Sequence, residues 1–247
     1  MHCRCRIILR RSIVRVMQMD GTLIIVMVKA PIAGGVKTRL GRDIGYEKAL
    51  SLYRSFVSDI IEKVKCSGTP MRIGIYPEGS ENAIKDWLGQ DIEIFVQKGR
   101  DIGERQASLL KQGFDIGYEK CAVLSTDCPD IPVEYIKDID LALDGRDVVI
   151  GPAEDGGYYL IGSSKDAFKE DLLKDMEWSN EEVLSNVLLR LDKENIRTCL
   201  LPVWWDVDVI GDLELLIERL EKGTKAPSTD STLQELGPLE GKRGYHE

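Results

Sequence analysis

The stretch Thr22-Leu-Ile-Ile-Val-Met-Val28, followed at once by Lys29-Ala-Pro-Ile-Ala-Gly-Gly-Val-Lys-Thr-Arg-Leu40, decides how the rest of the chain is read. Its first half is an unbroken apolar run rich in β-branched residues, which suits a strand buried on both faces. Its second half places Lys29, Lys37 and Arg39 around the adjacent glycines Gly34 and Gly35, where a strand hands over to a helix. Glycine lets a backbone approach an anion and the cations balance its charge. Lys29, Gly34, Gly35, Lys37, Thr38 and Arg39 therefore form a candidate loop for a phosphorylated, nucleotide-like ligand. It is not a Walker A loop, because Val36 separates Gly35 from Lys37 and residue 30 is Ala. The alternative is an exposed turn whose basic residues are simply solvated.

Outward from this stretch the same strand signal recurs at Met71 to Tyr76, Ile92 to Val96, Cys121 to Leu124, Asp147 to Ile150, Tyr158 to Ile161 and Arg197 to Leu201. Helical spacing falls between most of them. Glu47 to Val64 puts Leu50, Tyr53, Val57, Ile60, Ile61 and Val64 on one stripe, and Glu81 to Leu88, Gly103 to Phe114, Val133 to Leu143, Glu181 to Asp192 and Asp212 to Leu220 follow suit. Ser179 with Glu182 three residues on reads as a capping box. Strand and helix alternating at this rate predict an α/β domain, a mostly parallel sheet with helices on both faces. The link from Asp147–Pro152 to Tyr158–Gly162 is too short for a helical crossover, so one antiparallel strand is expected. The domain is expected over residues 19–222, after a basic arm (1–18) and before a polar tail or loosely docked segment (223–247).

Composition narrows the function. The chain has 247 residues, 43% hydrophobic and 30% charged, enough to bury a full core. A net charge of -9 argues against a nucleic-acid partner, which calls for a basic face. The five arginines among residues 1–16 are foreign to the rest; a mis-assigned start is preferred over a disordered arm or a targeting segment. No stretch approaches the ~20 apolar residues of a membrane span. The six cysteines form no C-x-x-C pair, which fits a reducing cytoplasm. The only histidines are His2 and His246, at the ends, so histidine nucleophile systems and histidine metal sites are excluded.

Chemistry clusters just after strands, where parallel sheets bind ligands. Ser125-Thr-Asp-Cys-Pro-Asp130 offers Asp127 as a hard oxygen ligand for Mg²⁺ or Mn²⁺ bridging phosphates, whereas Asp130 reads as a helix N-cap. Gly151-Pro-Ala-Glu-Asp-Gly-Gly-Tyr-Tyr-Leu160 puts Glu154 and Asp155 where they could bind sugar hydroxyls or act as a base; equally, it is a turn linking two strands. In Trp204-Trp-Asp-Val-Asp208, Asp206 and Asp208 point to one side of an extended segment and could face one cation, or the acids could serve the helix at Asp212. Trp178, Trp204 and Trp205 suit either stacking on a ligand ring or packing.

Together, K-A-P-x-x-G-x-V-K-T-R-L, D-I-G-E-R at Asp101 to Arg105, D-C-P-D at Asp127 to Asp130, G-P-A-E-D-G-G-Y-Y-L-I-G from Gly151, W-S at Trp178 and D-V-D at Asp206 to Asp208 resemble the DUF2064-type glycosyltransferases of bacteria and archaea. The resemblance spans Leu23 to Leu220. It implies a GT-A-like, Rossmann-type fold of the nucleotide-diphospho-sugar transferase superfamily, a nucleotide held by Gly35, Lys37 and Arg39, and a divalent cation on Asp127 with help from Asp208. Thr126, Ala33 and Val209-Ile210 depart from the usual pattern. The K-T-R-L loop is also similar to the K-S-R-L of 2-phospho-lactate guanylyltransferases. The leading expectation is thus glycosyl transfer from a nucleotide sugar to an unknown acceptor, with Lys37 and Arg39 steadying the leaving diphosphate and Asp155 or Glu154 serving the acceptor. Nucleotidyl transfer from an NTP is the rival, and a silent nucleotide-binding module the third class.

Overall fold

The computed structural model describes residues 19–178 and 182–237. The basic arm, the Ser179 side of the capping box and the last ten residues lie outside them. Seven strands form one sheet in the order β3-β2-β1-β4-β6-β5-β7: β1 (Met19–Lys29), β2 (Met71–Tyr76), β3 (Ile94–Val96), β4 (Tyr118–Leu124), β5 (Val148–Pro152), β6 (Tyr158–Ser164) and β7 (Thr198–Leu200). The expected antiparallel strand is β6, which runs against both β4 and β5. All other pairings are parallel.

The central strands are apolar over most of their length because each face of the sheet has its own helix layer. On β1, Ile24, Val26 and Val28 pack against one face with Tyr53, Val57 and Ile60 of α2 (Tyr46–Ser67) and Ile136 and Ile139 of α5 (Val133–Gly145). The alternate residues Leu23 and Ile25 meet Leu109, Leu110 and Phe114 of α4 (Ile102–Asp115) and Val187 and Leu191 of α6 (Val183–Lys193) on the other. Alternation on a strand thus becomes a two-faced core. Among the described residues no helix is long and apolar enough to cross a membrane.

From β1 the chain winds outward through β2 and β3, then returns to place β4 on the other side of β1. This is a topological switch point, and a crevice opens there at the carboxyl ends of the strands.

Two helices go beyond the sequence reading. The first, α1 (Thr38–Ile44), has only seven residues, too few for a periodic signal. The second, α8 (Pro227–Leu236), lies in the segment whose polar composition reads as a tail or loosely docked piece. It rests on α2 through Asp59, whose buried carboxylate accepts from Ser228 N at 2.9 Å, Thr229 N at 2.8 Å and Thr229 Oγ1 at 2.6 Å. An anion at a helix N-terminus satisfies donors that have no partner within the helix. That anchor is contributed by α2, some 170 residues away, so the composition of α8 alone does not reveal it.

Candidate functional site

Where β1 ends, Lys29 is tied to α2: its N–H donates to Tyr53 Oη at 2.7 Å, and the Tyr53 hydroxyl donates to Lys29 O at 3.1 Å. Gly34 takes the left-handed conformation (φ 76°), and Gly35 N donates to Ile32 O at 2.9 Å. The glycines therefore shape the turn, and neither lines the cavities described next.

Lys37 caps α1 in a left-handed conformation (φ 43°, ψ 47°), a geometry that costs a non-glycine residue about 1–2 kcal/mol. Its side chain is 4% exposed and its ammonium uses all three protons. It lies 2.5 Å from Asp127 Oδ1 and donates to Asp208 Oδ1 at 3.0 Å and Val207 O at 2.6 Å. Burial alone would lower the Lys37 pKa, but the Asp127 and Asp208 carboxylates outweigh it and hold the ammonium above its ordinary value. Reciprocally, Lys37 pulls the Asp208 carboxyl below its usual range. Val207 N donates to Asp127 O at 3.0 Å, which fastens the segment after β7 to the loop after β4. Lys37 is thus the pin joining three separate loops.

Two cavities meet at this pin. The first, about 280 Å³, lies over the β1–β4 crevice and is lined by Lys29, Lys37, Thr38, Arg39, Tyr53 and Asp127 among others. The second, about 450 Å³, shares Arg39, Asp127 and Asp208 with the first and adds Asp155, Asp206, Tyr158 and Trp178. Asp155 sits in the β5–β6 turn with Oδ1 accepting from Gly157 N at 2.8 Å. Its neighbour Glu154 is exposed and lines neither cavity; its N–H fixes the turn to Trp204 O at 3.0 Å. Burial, and then the charges of Asp155, Asp208 and Asp127, push the Asp206 carboxyl up to about 7. Asp127, Asp155, Asp206 and Asp208 outnumber the three cations Lys29, Lys37 and Arg39 that line the two cavities.

That donor set fits a divalent cation. Asp127 Oδ2 receives only the Ser125 hydroxyl, at 3.1 Å, and Asp208 Oδ2 sits 3.9 Å from the exposed Arg39. Each carboxylate therefore keeps an oxygen that Lys37 does not use. Among the described residues no three His, Cys, Asp or Glu form a cation cage, but one or two carboxylates completed by phosphate is the ordinary habit of Mg²⁺.

The N-cap reading of Asp130 is corrected: α5 has Pro132 as its N-cap and no side-chain cap. The Asp130 side chain is fully buried and accepts from Arg219 Nε at 2.7 Å and Trp204 Nε1 at 3.1 Å. Trp204 is accordingly a packed residue, edge-on to Tyr135 and Trp205. Asp212 Oδ2, not Asp208, receives the N–H groups of Asp208 and Val209 at the start of α7 (Ile210–Glu221). Sequence reasoning missed Tyr53 and Gln97 as cavity residues. Tyr53 was hidden in an apolar stripe, and Gln97 carries no local signal.

The model of a family described as uncharacterised proteins conserved in bacteria, DUF2064, matches residues 60–180. A crystal structure from Desulfovibrio desulfuricans G20, provisionally named a nucleotide-diphospho-sugar transferase, is 33% identical with a TM-score of 0.83, over 88% of this chain and 95% of that one. The chain belongs to the DUF2064 family, within the nucleotide-diphospho-sugar transferase superfamily. At the level of fold alone, this DUF2064 protein is also similar to 4-diphosphocytidyl-2C-methyl-D-erythritol synthase from Anaerococcus prevotii, at 14% identity and TM-score 0.53 over 82% of this chain and 100% of that one. The inositol-1-phosphate CTP transferase from T. maritima is similar at 13% identity and TM-score 0.52, over 84% and 99%. No curated protein matches the chain.

Proposed function

We propose that this protein is a metal-dependent glycosyltransferase that uses a nucleotide-diphospho-sugar donor. The observation that carries the proposal is the pair of cavities meeting at Asp127 and Asp208, one beside a cationic loop and the other rich in carboxylates. The nucleotide lies in the first, with its diphosphate toward Lys29, Thr38 and Arg39. Asp127 and Asp208 would hold Mg²⁺ or Mn²⁺, which when bound neutralises diphosphate charge as it builds on the leaving group. Lys37, with every donor engaged, acts as a positioning residue that keeps the two carboxylates together.

In the second cavity the acceptor hydroxyl oxygen bonds to the anomeric carbon as that carbon's bond to the diphosphate oxygen breaks. The electron pair leaves with the nucleoside diphosphate, and the hydroxyl proton passes to Asp155. Glu154, outside the cavity, takes no part. The acidity of the second cavity is what favours this over nucleotidyl transfer, where the acceptor is itself a phosphate and needs cations around it.

Identifying the leaving group tests the assignment. Incubation with Mn²⁺ and a panel of nucleotide sugars and NTPs is expected to release a nucleoside diphosphate from a nucleotide sugar. Pyrophosphate released from an NTP would overturn it.

A further inference from the structure

Resting on the glycosyl-transfer reading, we infer that the second cavity takes an uncharged polyhydroxyl acceptor, stacked on the wall formed by Tyr158 and Trp178, and excludes phosphorylated or carboxylated ones.

The charges come first. Besides Asp127 and Asp208, which Lys37 neutralises in part, the cavity contains Asp155 and Asp206, and among the described residues the only cation on its wall is Arg39. Arg39 also lines the first cavity, where the diphosphate is placed. An anionic acceptor would enter against the Asp155 carboxylate with no cation of its own, and like charges in a confined site repel by more than they do in water. Hydroxyl groups suit the same surface, since an ionised carboxylate is purely an acceptor and each oxygen takes more than one donor.

The wall supplies the other half of a carbohydrate site. Tyr158 and Trp178 meet edge to face, with ring centroids 6.3 Å apart. Tyr158 is locked in place, because its hydroxyl donates to Gln106 Oε1 at 2.6 Å. Trp178 is set by Gly103: a Cβ there would collide with both the Trp178 ring and Leu173 O, so only glycine admits the indole. Aromatic faces beside carboxylates bind the C–H face of a sugar ring while the acids take its hydroxyls.

Saturation-transfer NMR on the full chain with Mg²⁺ and UDP or GDP present gives the test, using methyl glucoside, glucose 6-phosphate and glucuronate as probes. The expected result is transfer to methyl glucoside and none to the two anions. Trp178→Ala is expected to weaken methyl glucoside binding at least tenfold while nucleotide binding stays unchanged, and Trp178→Phe, which keeps a flat ring, to weaken it less. If Trp178→Ala fails to fold, Trp178→Leu serves, with the same loss expected. Stronger transfer to either anion, or no binding of methyl glucoside to a protein that binds the nucleotide, overturns the acceptor class. Absence of nucleotide binding would instead overturn the reading on which it rests.

Discussion

At the residue scale, Lys37 decides how the site is held. Its ammonium has three hydrogen-bonding partners and its backbone is left-handed, so its conformation is held by what its side chain grips. Lys37→Met is expected to cost about 1–3 kcal/mol in thermal or denaturant unfolding, the penalty for leaving hydrogen-bonding groups unpaired. The remaining carboxylates are partly exposed, which keeps the loss below that of a fully buried pair. Arg39→Ala should behave oppositely. Its side chain is 66% exposed, so stability should stay within about 0.5 kcal/mol, while calorimetric affinity for a nucleoside diphosphate falls about tenfold, or about 1.4 kcal/mol. Equal stability losses in the two variants would remove the distinction between pin and ligand contact. The K-T-R-L pattern reveals that these residues belong together, but not which of the two cations is buried. That depends on carboxylates 90 and 171 positions away along the chain, and no local spacing encodes them.

At the scale of elements, two buried acids hold the frame around the site. Asp130 joins the loop after β4 to α7 through Arg219, and to the segment after β7 through Trp204. Removing it leaves a guanidinium that is only 15% exposed without its partner. Asp130→Ala should therefore cost about 3–5 kcal/mol in chemical denaturation; a loss below 1 kcal/mol would show that water replaces the carboxylate. Asp59→Ala should release α8, read as faster amide exchange over residues 227–236, with turnover unchanged because α8 packs on α2 away from both cavities. All seven strands were legible in the sequence because their buried stretches form apolar runs bounded by turn residues, and the two partly buried edge strands β3 and β7 still carry short apolar runs of their own. The elements that were not legible are those whose stability comes from elsewhere. Helix α1 is too short to show a period, and α8 is anchored by an acid on another helix. Asp130 looked like a cap because an Asp-Ile-Pro sequence ahead of a helix usually is one; only the tertiary position of Arg219 says otherwise.

At the scale of the molecule, the strand order places the β1–β4 crevice under the cationic loop and brings three acid-bearing loops to its edge. Chelation with EDTA is expected to abolish turnover and Mn²⁺ or Mg²⁺ to restore it, with the fold intact by circular dichroism, since Lys37 bridges Asp127 and Asp208. Turnover that persists after exhaustive chelation would remove the metal from the mechanism. The most direct test of the central claim, that Asp127 and Asp208 organise a nucleotide at the switch point, is a crystal structure with Mn²⁺ and a nucleoside diphosphate. An anomalous manganese peak is predicted within ligand distance of Asp127, with the diphosphate between it and Arg39. A diphosphate bound away from the β1–β4 crevice, or manganese lying elsewhere than on Asp127 and Asp208, would contradict it.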